Sequence, residues 1–151
     1  MPVIVIGADT PVGRAAVKAI VPAAAEVRAF ISDAQQAGAL KARGVKVALG
    51  DVSDFSHVEA AALNCFCAVL VAEAAMDGRE RSFAATGQEV WEGWATAIRN
   101  AGLQRTIWVS SNEFQAQLPS STPEVATVLV SGSTGEAARA IAELEEAQNL
   151  P

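Results

Sequence analysis

Val3-Ile4-Val5-Ile6-Gly7-Ala8-Asp9-Thr10-Pro11-Val12-Gly13-Arg14-Ala15-Ala16 is the stretch on which the reading of this chain turns. Consecutive β-branched apolar residues run into a turn bounded by glycines, and a helix-like Arg14–Ile20 follows. A short unbroken apolar run beside a turn signal reads as a fully buried parallel strand. The turn then reads as the phosphate-cradling loop of a dinucleotide-binding βαβ unit. Gly7 permits the tight turn, and Gly13 lets the helix pack close to the strand. The middle glycine of the usual spacing is replaced by Thr10. Thr10 suits an N-cap, and Pro11 suits the first helical position, where no backbone donor is needed. The free amides at that helix end, with its dipole, would face a pyrophosphate. Thr10 crowds the place where phosphate normally approaches, yet its hydroxyl can donate to it. A strand-turn-helix that holds no ligand is the plain alternative.

Bulk properties narrow the classes. A chain of 151 residues suits a single domain spanning 1–151, able to bury roughly 68–70% of its unfolded surface. The residues are 51% hydrophobic, enough for a core and against wholesale disorder. A net charge of −6 argues against a nucleic-acid surface, which needs clustered Lys and Arg. No apolar run is long enough for a membrane span, and no basic segment precedes the first apolar stretch. Cys65 and Cys67 alternate along a strand-like segment and are poorly placed for a disulfide with each other. A single His57 makes a Cys/His zinc site implausible. The expectation is a cytoplasmic, metal-free protein without nucleic-acid or membrane partners.

Outward from the opening stretch, strand and helix patterns alternate. The first helix is interrupted near Pro22. Glu26–Ile31 reads as the second strand, and Ser32-Asp33 caps a helix over Ala34–Arg43 that Gly44 closes. Val45–Leu49 is a third strand, Ser56–Leu63 a helix and Cys67–Ala72 a fourth strand. A loop over Met76–Ser82 precedes a helix over Gly87–Ala101, stopped by Gly102, and Thr106–Ser110 is the fifth strand. This spacing predicts an α/β fold: a three-layer, doubly wound parallel sheet of Rossmann type with strand order 3-2-1-4-5. Ser111–Pro123 reads as a polar loop. Ala126–Val130 is a β-branched run without an assignable partner, and Ser133-Thr134-Gly135-Glu136 fits a capping box before a helix to Gln148.

Several segments in this order resemble the NmrA-like atypical short-chain dehydrogenase/reductases. They are Gly7–Arg14, Val27–Ile31, Gly44–Asp54, Ala97–Gly102 and Arg105–Ser111, so that the likeness covers residues 1 to about 112. The resemblance implies a parallel Rossmann-type sheet that binds NAD or NADP. It implies that Gly7, Thr10, Pro11, Val12 and Gly13 line the pyrophosphate. Ser32 sits where NADP-preferring relatives often carry arginine. Asp51 and Val52 would meet the adenine, and Ala72–Ala75, with Ala72 and Glu73 at its start, would flank the nicotinamide ribose. Ser111 falls at the Ser/Thr that polarises the substrate carbonyl in catalytic members. The family's Tyr-x-x-x-Lys pair has no counterpart, because the chain contains no tyrosine. Family members are usually longer, continuing past the helix that here ends at Leu150-Pro151 with a further strand and a small substrate-binding region.

Single residues carry plain readings beside the functional ones. Asp51 can merely cap a turn, and Ser110 and Ser111 can be ordinary strand-end residues. His57 reads as a solvated or packing histidine. Glu73 lies at the sheet's carboxyl edge, where ligands bind, but no second carboxylate or histidine stands at a telling spacing. Glu113 reads as solvated, as do Glu143, Glu145 and Glu146. Trp91, Trp94, Ala95 and Ile98 share one helical face; core packing is the first reading and a homodimer seam the alternative. For the cofactor, an acid roughly 20 positions past the glycine motif accepts from the ribose 2′-hydroxyl and repels a 2′-phosphate. Asp33 stands at that distance, one place past the strand end that Ser32 fills. Arg14 is the cation better placed than Arg28 to reverse the preference, and the lean is toward NAD.

Two functions remain open on the sequence. One is a module that holds or senses the dinucleotide without tyrosine-dependent catalysis. The other is an NAD(P)H-dependent oxidoreductase acting on a small-molecule acceptor of quinone or flavin-like chemistry. The lack of an obvious substrate domain after residue 112 tilts the sequence reading toward binding. A degenerate domain with its pocket closed by Thr10 is a third, weaker option.

Overall fold

The computed structural model describes residues 1–150, the side chain of Asn112 apart. One fully parallel sheet runs through it: β1 (Val3–Ile6), β2 (Val27–Ile31), β3 (Lys46–Leu49), β4 (Cys67–Val71), β5 (Arg105–Ser110) and β6 (Glu124–Leu129). Their order is 3-2-1-4-5-6, as expected for the first five. All four residues of β1 are fully buried, because β2 and β4 flank it in the sheet and helices cover both of its faces.

The helices are α1 (Pro11–Ile20), α2 (Ala37–Ala42), α3 (Phe55–Ala62), α4 (Gly87–Asn100) and α5 (Thr134–Glu146). Strand alternation sends Val3 and Val5 into a core shared with Val12, Ala16, Val17, Ala137 and Ile141, beneath α1 and α5. Ile4 and Ile6 enter the opposite core with Phe30, Val58, Trp91 and Trp94, beneath α3 and α4. Trp91, Trp94, Ala95 and Ile98 are all buried within this chain, so the core-packing reading of that face holds and the face is not available as a dimer seam. Trp94 stacks on Trp108 at a centroid separation of 6.2 Å.

Four features depart from the sequence reading; one is Glu145, expected in a solvated run but buried near the end of α5. The run at Ala126–Val130 falls in β6 up to Leu129, and β6 pairs in parallel with β5 and places Glu124 beside Arg105. The expected helix over Ala34–Arg43 divides into a 3₁₀ turn at Ala34–Gln36 and the short α2, since Asp33 caps that turn by accepting from the Gln35 amide. The polar loop after Ser111 contains a 3₁₀ turn over Asn112–Gln117. The Ser133 cap is as expected, its hydroxyl accepting from the Gly135 and Glu136 amides at 3.1 and 3.4 Å.

Arg105 locks the last third of the chain onto the sheet. It is fully buried, and its guanidinium meets Glu124 at 3.2 Å. The same group donates to the carbonyls of Leu144, Glu145 and Ala147, at 2.8, 3.1 and 2.6 Å, and lies 5.0 Å above the Phe66 ring. A helix C-terminus leaves carbonyls without intrahelical partners and carries partial negative charge, and a cation answers both.

Candidate functional site: the carboxyl-end crevice

Between β1 and β4 the order of strand addition reverses, which opens a crevice at the carboxyl ends of the strands. The loop from Gly7 to Gly13 lies there. Gly7 adopts φ +90°, and a Cβ on it would stand 2.8 Å from the Cβ of Ala74 and 2.9 Å from that of Val71. At Gly13 a Cβ would fall 2.0 Å from the Gly7 carbonyl oxygen, so helix and strand approach as closely as the motif predicts. Thr10 bridges the turn: its hydroxyl donates to the Gly7 carbonyl at 2.6 Å and accepts from the Gly13 amide at 3.1 Å. The side chain in the middle-glycine position thus closes the loop on itself. Pro11 has no amide and the Gly13 amide is occupied. Among the described residues the Val12 N–H has no hydrogen-bond partner, which leaves it as the first-turn donor facing the crevice.

The end of β2 is built around a residue that the motif spacing does not single out, Asp9. Asp9 Oδ2 accepts from the backbone amides of Ser32 and Asp33, at 2.9 and 3.0 Å. Arg79 stands 3.7 Å from the same oxygen. Gln36 and Arg14 each donate to the Asp9 carbonyl at 3.0 Å, and they bond one another at 2.9 Å. Asp33 itself is turned into its cap: the Gln35 amide, then the Gln36 side chain, hold its carboxyl below the ordinary range. The Ser32 hydroxyl donates to the Gly50 carbonyl at 3.0 Å. Arg28 lies away from this cluster, bound to Glu26 and to the carbonyls of Ala61 and Leu63.

Asp51 and Val52 lie on the turn after β3. Burial works to raise the Asp51 pKa, but the Ser82 and Ser53 amides and the Ser53 hydroxyl outweigh it and hold the carboxyl low. Those bonds are 2.8 Å each and tie the segment after β4 across to the β3 turn. Val52 is buried, and its carbonyl accepts from the Trp94 indole at 2.8 Å. The Ala72 carbonyl accepts from the Trp91 indole at 2.9 Å. The tryptophans of α4 therefore brace the backbone at two walls of the crevice. His57 packs edge-on against Phe30 with centroids 4.8 Å apart, in keeping with the plain reading.

Glu73 and Ser111 come together at the ends of β4 and β5. Glu73 Oε1 accepts from the Ser111 amide at 2.8 Å, while Oε2 is buried without a hydrogen-bond partner. The Ser111 hydroxyl is directed to Glu113 at 3.5 Å. The segment 75–87, between β4 and α4, walls an open cleft of about 780 Å³ with Met76, Arg79 and Thr86 among its lining. Among the described residues no group of three or more His, Cys, Asp or Glu is placed to hold a metal, and no helix is long and apolar enough to cross a membrane. Sequence reasoning missed Asp9, Gln36 and Arg79 because their partners lie on other loops. The one available signal was an acid inside the glycine loop itself.

A glycine-bounded loop at the switch point of a parallel sheet defines a Rossmann-type dinucleotide fold. The chain belongs to a family of NAD(P)H-binding domains, whose model matches residues 7–150. No curated protein matches the sequence. Among solved structures it is similar to ChuY, an anaerobilin reductase from Escherichia coli O157:H7, with 18% identity and a TM-score of 0.72 over 99% of this chain and 92% of that one. It is also similar to the Escherichia coli NADPH-dependent quinone oxidoreductase in complex with NADPH, with 17% identity and a TM-score of 0.59 over 72% of this chain and 36% of that one. A third is the Citrobacter triphenylmethane reductase with NADP(H), with 14% identity and a TM-score of 0.61 over 95% of this chain and 46% of that one. The chain thus spans less than half the length of these last two.

Proposed function

We propose that this protein is an NADH-dependent reductase of conjugated acceptors of quinone-like chemistry, working without a tyrosine acid and related to the NmrA-like branch of the short-chain dehydrogenases. The observation that carries the reading is the crevice itself. Its glycine loop packs as tightly as the motif requires, leaves the Val12 amide unpaired at the switch point, and belongs to a chain without tyrosine whose Glu73 and Ser111 meet at the ends of β4 and β5. The residues fit the cofactor: Gly7 and Gly13 bring strand and helix close together, Thr10 shapes the loop, and Pro11 starts the helix whose dipole would face the phosphates. The turn at Asp51-Val52 walls the adenine side, and Ala72 and Glu73 wall the nicotinamide side.

The reduced nicotinamide supplies a hydride. Delivered to an ordinary ketone, it leaves an alkoxide that must be protonated as it forms, and a positioned acid typically contributes about 10²–10⁴-fold in rate. No phenol is present to do this. An acceptor whose reduced form is a stabilised, weakly basic anion takes its proton from water and needs no such acid. Ser111 then serves by orienting the acceptor oxygen, with Glu73 fixing its backbone. An anaerobilin reductase shares this fold over 99% of the present chain and 92% of its own, in support of the reductase reading. The sensing module stays as the second reading, favoured by the Ser111 hydroxyl being turned to Glu113 at 3.5 Å in a chain without tyrosine.

The test is oxidation of NADH by purified protein against a quinone panel and a carbonyl panel. Turnover of quinones with inert ketones and aldehydes supports the reductase. Robust ketone turnover contradicts the acid argument, and tight NADH binding with neither activity leaves the sensing module.

A further inference from the structure

We infer that Asp9, inside the glycine loop, sets the choice between NADH and NADPH; this rests on the dinucleotide reading above and deepens it. The usual discriminating acid sits at the end of the second strand, where its carboxylate accepts from the ribose 2′-hydroxyl. Here Ser32 fills that place and is bonded to Gly50, and the next residue, Asp33, has both carboxylate oxygens engaged by Gln35 and Gln36. Ser32 is turned away, and Asp33 is directed into its cap, where each oxygen already accepts one bond.

Two backbone amides at that strand end, those of Ser32 and Asp33, would otherwise form an anion site. They converge on one oxygen, Asp9 Oδ2, at 2.9 and 3.0 Å. A 2′-phosphate would need these donors and finds a carboxylate already in possession of them. It would also meet that carboxylate's like charge in a position where the side chain is only 11% exposed, so water screens it weakly. Arg79, the nearest cation at 3.7 Å, already faces Asp9. A 2′-hydroxyl suffers none of this. Oδ1 has no hydrogen-bond partner among the described residues and can accept its proton. The carboxylate is held in place from below, because Arg14 and Gln36 both donate to its own backbone carbonyl at 3.0 Å.

Removing the carboxylate should therefore do more than abolish a repulsion. It frees two amides and Arg79 for a phosphate, turning the site from one that rejects the anion into one that binds it. The experiment compares dissociation constants of NADH and NADPH, by calorimetric titration, for the wild type, Asp9→Ser and Asp9→Asn. Asp9→Asn keeps the shape and an acceptor oxygen and guards against loss of fold. Circular dichroism and thermal melts are run on each protein. Adenosine 2′,5′-bisphosphate and 5′-AMP serve as probes that differ only in the group at issue.

The wild type is expected to favour NADH by at least about tenfold. Asp9→Ser should move the NADH:NADPH ratio at least about tenfold toward NADPH, with Asp9→Asn moving it the same way by less. Adenosine 2′,5′-bisphosphate should gain affinity in the variants while 5′-AMP does not. Wild-type preference for NADPH, or a ratio unchanged in both folded variants, overturns the inference and leaves dinucleotide binding intact. Folded wild-type protein that binds neither nucleotide overturns the dinucleotide reading, and this inference falls with it.

Discussion

At Thr10 the glycine loop departs from its usual form, and the substitution has two separable effects. Its hydroxyl joins the Gly7 carbonyl to the Gly13 amide, capping α1 while removing one donor from the crevice. Losing such a cap to alanine costs about 0.5–2 kcal/mol, but to glycine only a few tenths. Thr10→Gly is therefore expected to melt within a few degrees of the wild type and to bind NADH at least as tightly, since the Gly13 amide becomes free. Thermal melts and titration check both; binding weakened more than about tenfold would show that the hydroxyl itself serves the phosphate. The two cysteines are a second residue-scale case. Burial pushes both thiols up, Cys67 far above the ordinary thiol range. The thiolate is the reactive form. A disulfide reagent at mildly alkaline pH should thus leave native Cys67 unmodified and label both sulfurs only after denaturation. Fast labelling of Cys67 in the native protein would contradict its placement.

The elements are joined by a repeated device: an arginine on a strand reaches the carbonyl end of a helix. Arg28 on β2 serves α3 through the carbonyls of Ala61 and Leu63, and Arg105 on β5 serves α5. Breaking a buried ion pair from one side typically costs about 3–5 kcal/mol, because the remaining charge is left unpaired. Arg105→Met should lower unfolding stability by about that much in urea titrations, since Glu124 and several carbonyls lose their donor at once. A change under about 1 kcal/mol would mean that the network is not holding α5. The Asp51 clamp is the pH-dependent counterpart. Its folded pKa lies below the ordinary value of 3.8, so its contribution is complete above that value and is lost as pH falls through the depressed one. The stability difference between wild type and Asp51→Asn should be constant from about pH 6 down to about pH 5 and then shrink in more acid solution. A difference that grows on acidification would reverse the sign and refute the clamp. These long-range ties also explain what the sequence concealed. β6 is a half-exposed edge strand without clean alternation, and it is placed by the Arg105–Glu124 pair, a contact between residues 19 apart. Local patterning carries no trace of such a pair.

For the molecule as a whole, the readable part was the part set by nearest neighbours. The buried run Val3–Ile6, the Gly7 turn, the Thr10-Pro11 helix start and the alternation of strand and helix gave the sheet, its order through five strands and the position of its crevice. The cofactor-side detail was not readable in the same way. Asp33 stands at the expected spacing, yet it caps a 3₁₀ turn, whereas Asp9 takes the amides of residues 23 and 24 positions away. Spacing rules locate the region, and only folding decides which carboxylate takes the amides at the end of β2. Function follows the same division. The family is that of an NAD(P)H-binding domain, and the chain has no tyrosine to serve as a phenol acid.

The central claim is that the Gly7–Gly13 loop seats a nicotinamide dinucleotide. Calorimetric titration of NADH into the wild type and Gly13→Val tests it most directly. A Cβ at residue 13 would stand 2.0 Å from the Gly7 carbonyl oxygen, so the branched side chain must push α1 and its Val12 amide off the strand end. One NADH should bind saturably per wild-type chain, with no measurable binding to a Gly13→Val variant that is folded but less stable. Equal affinity in the two proteins, or no binding to the folded wild type, would contradict it.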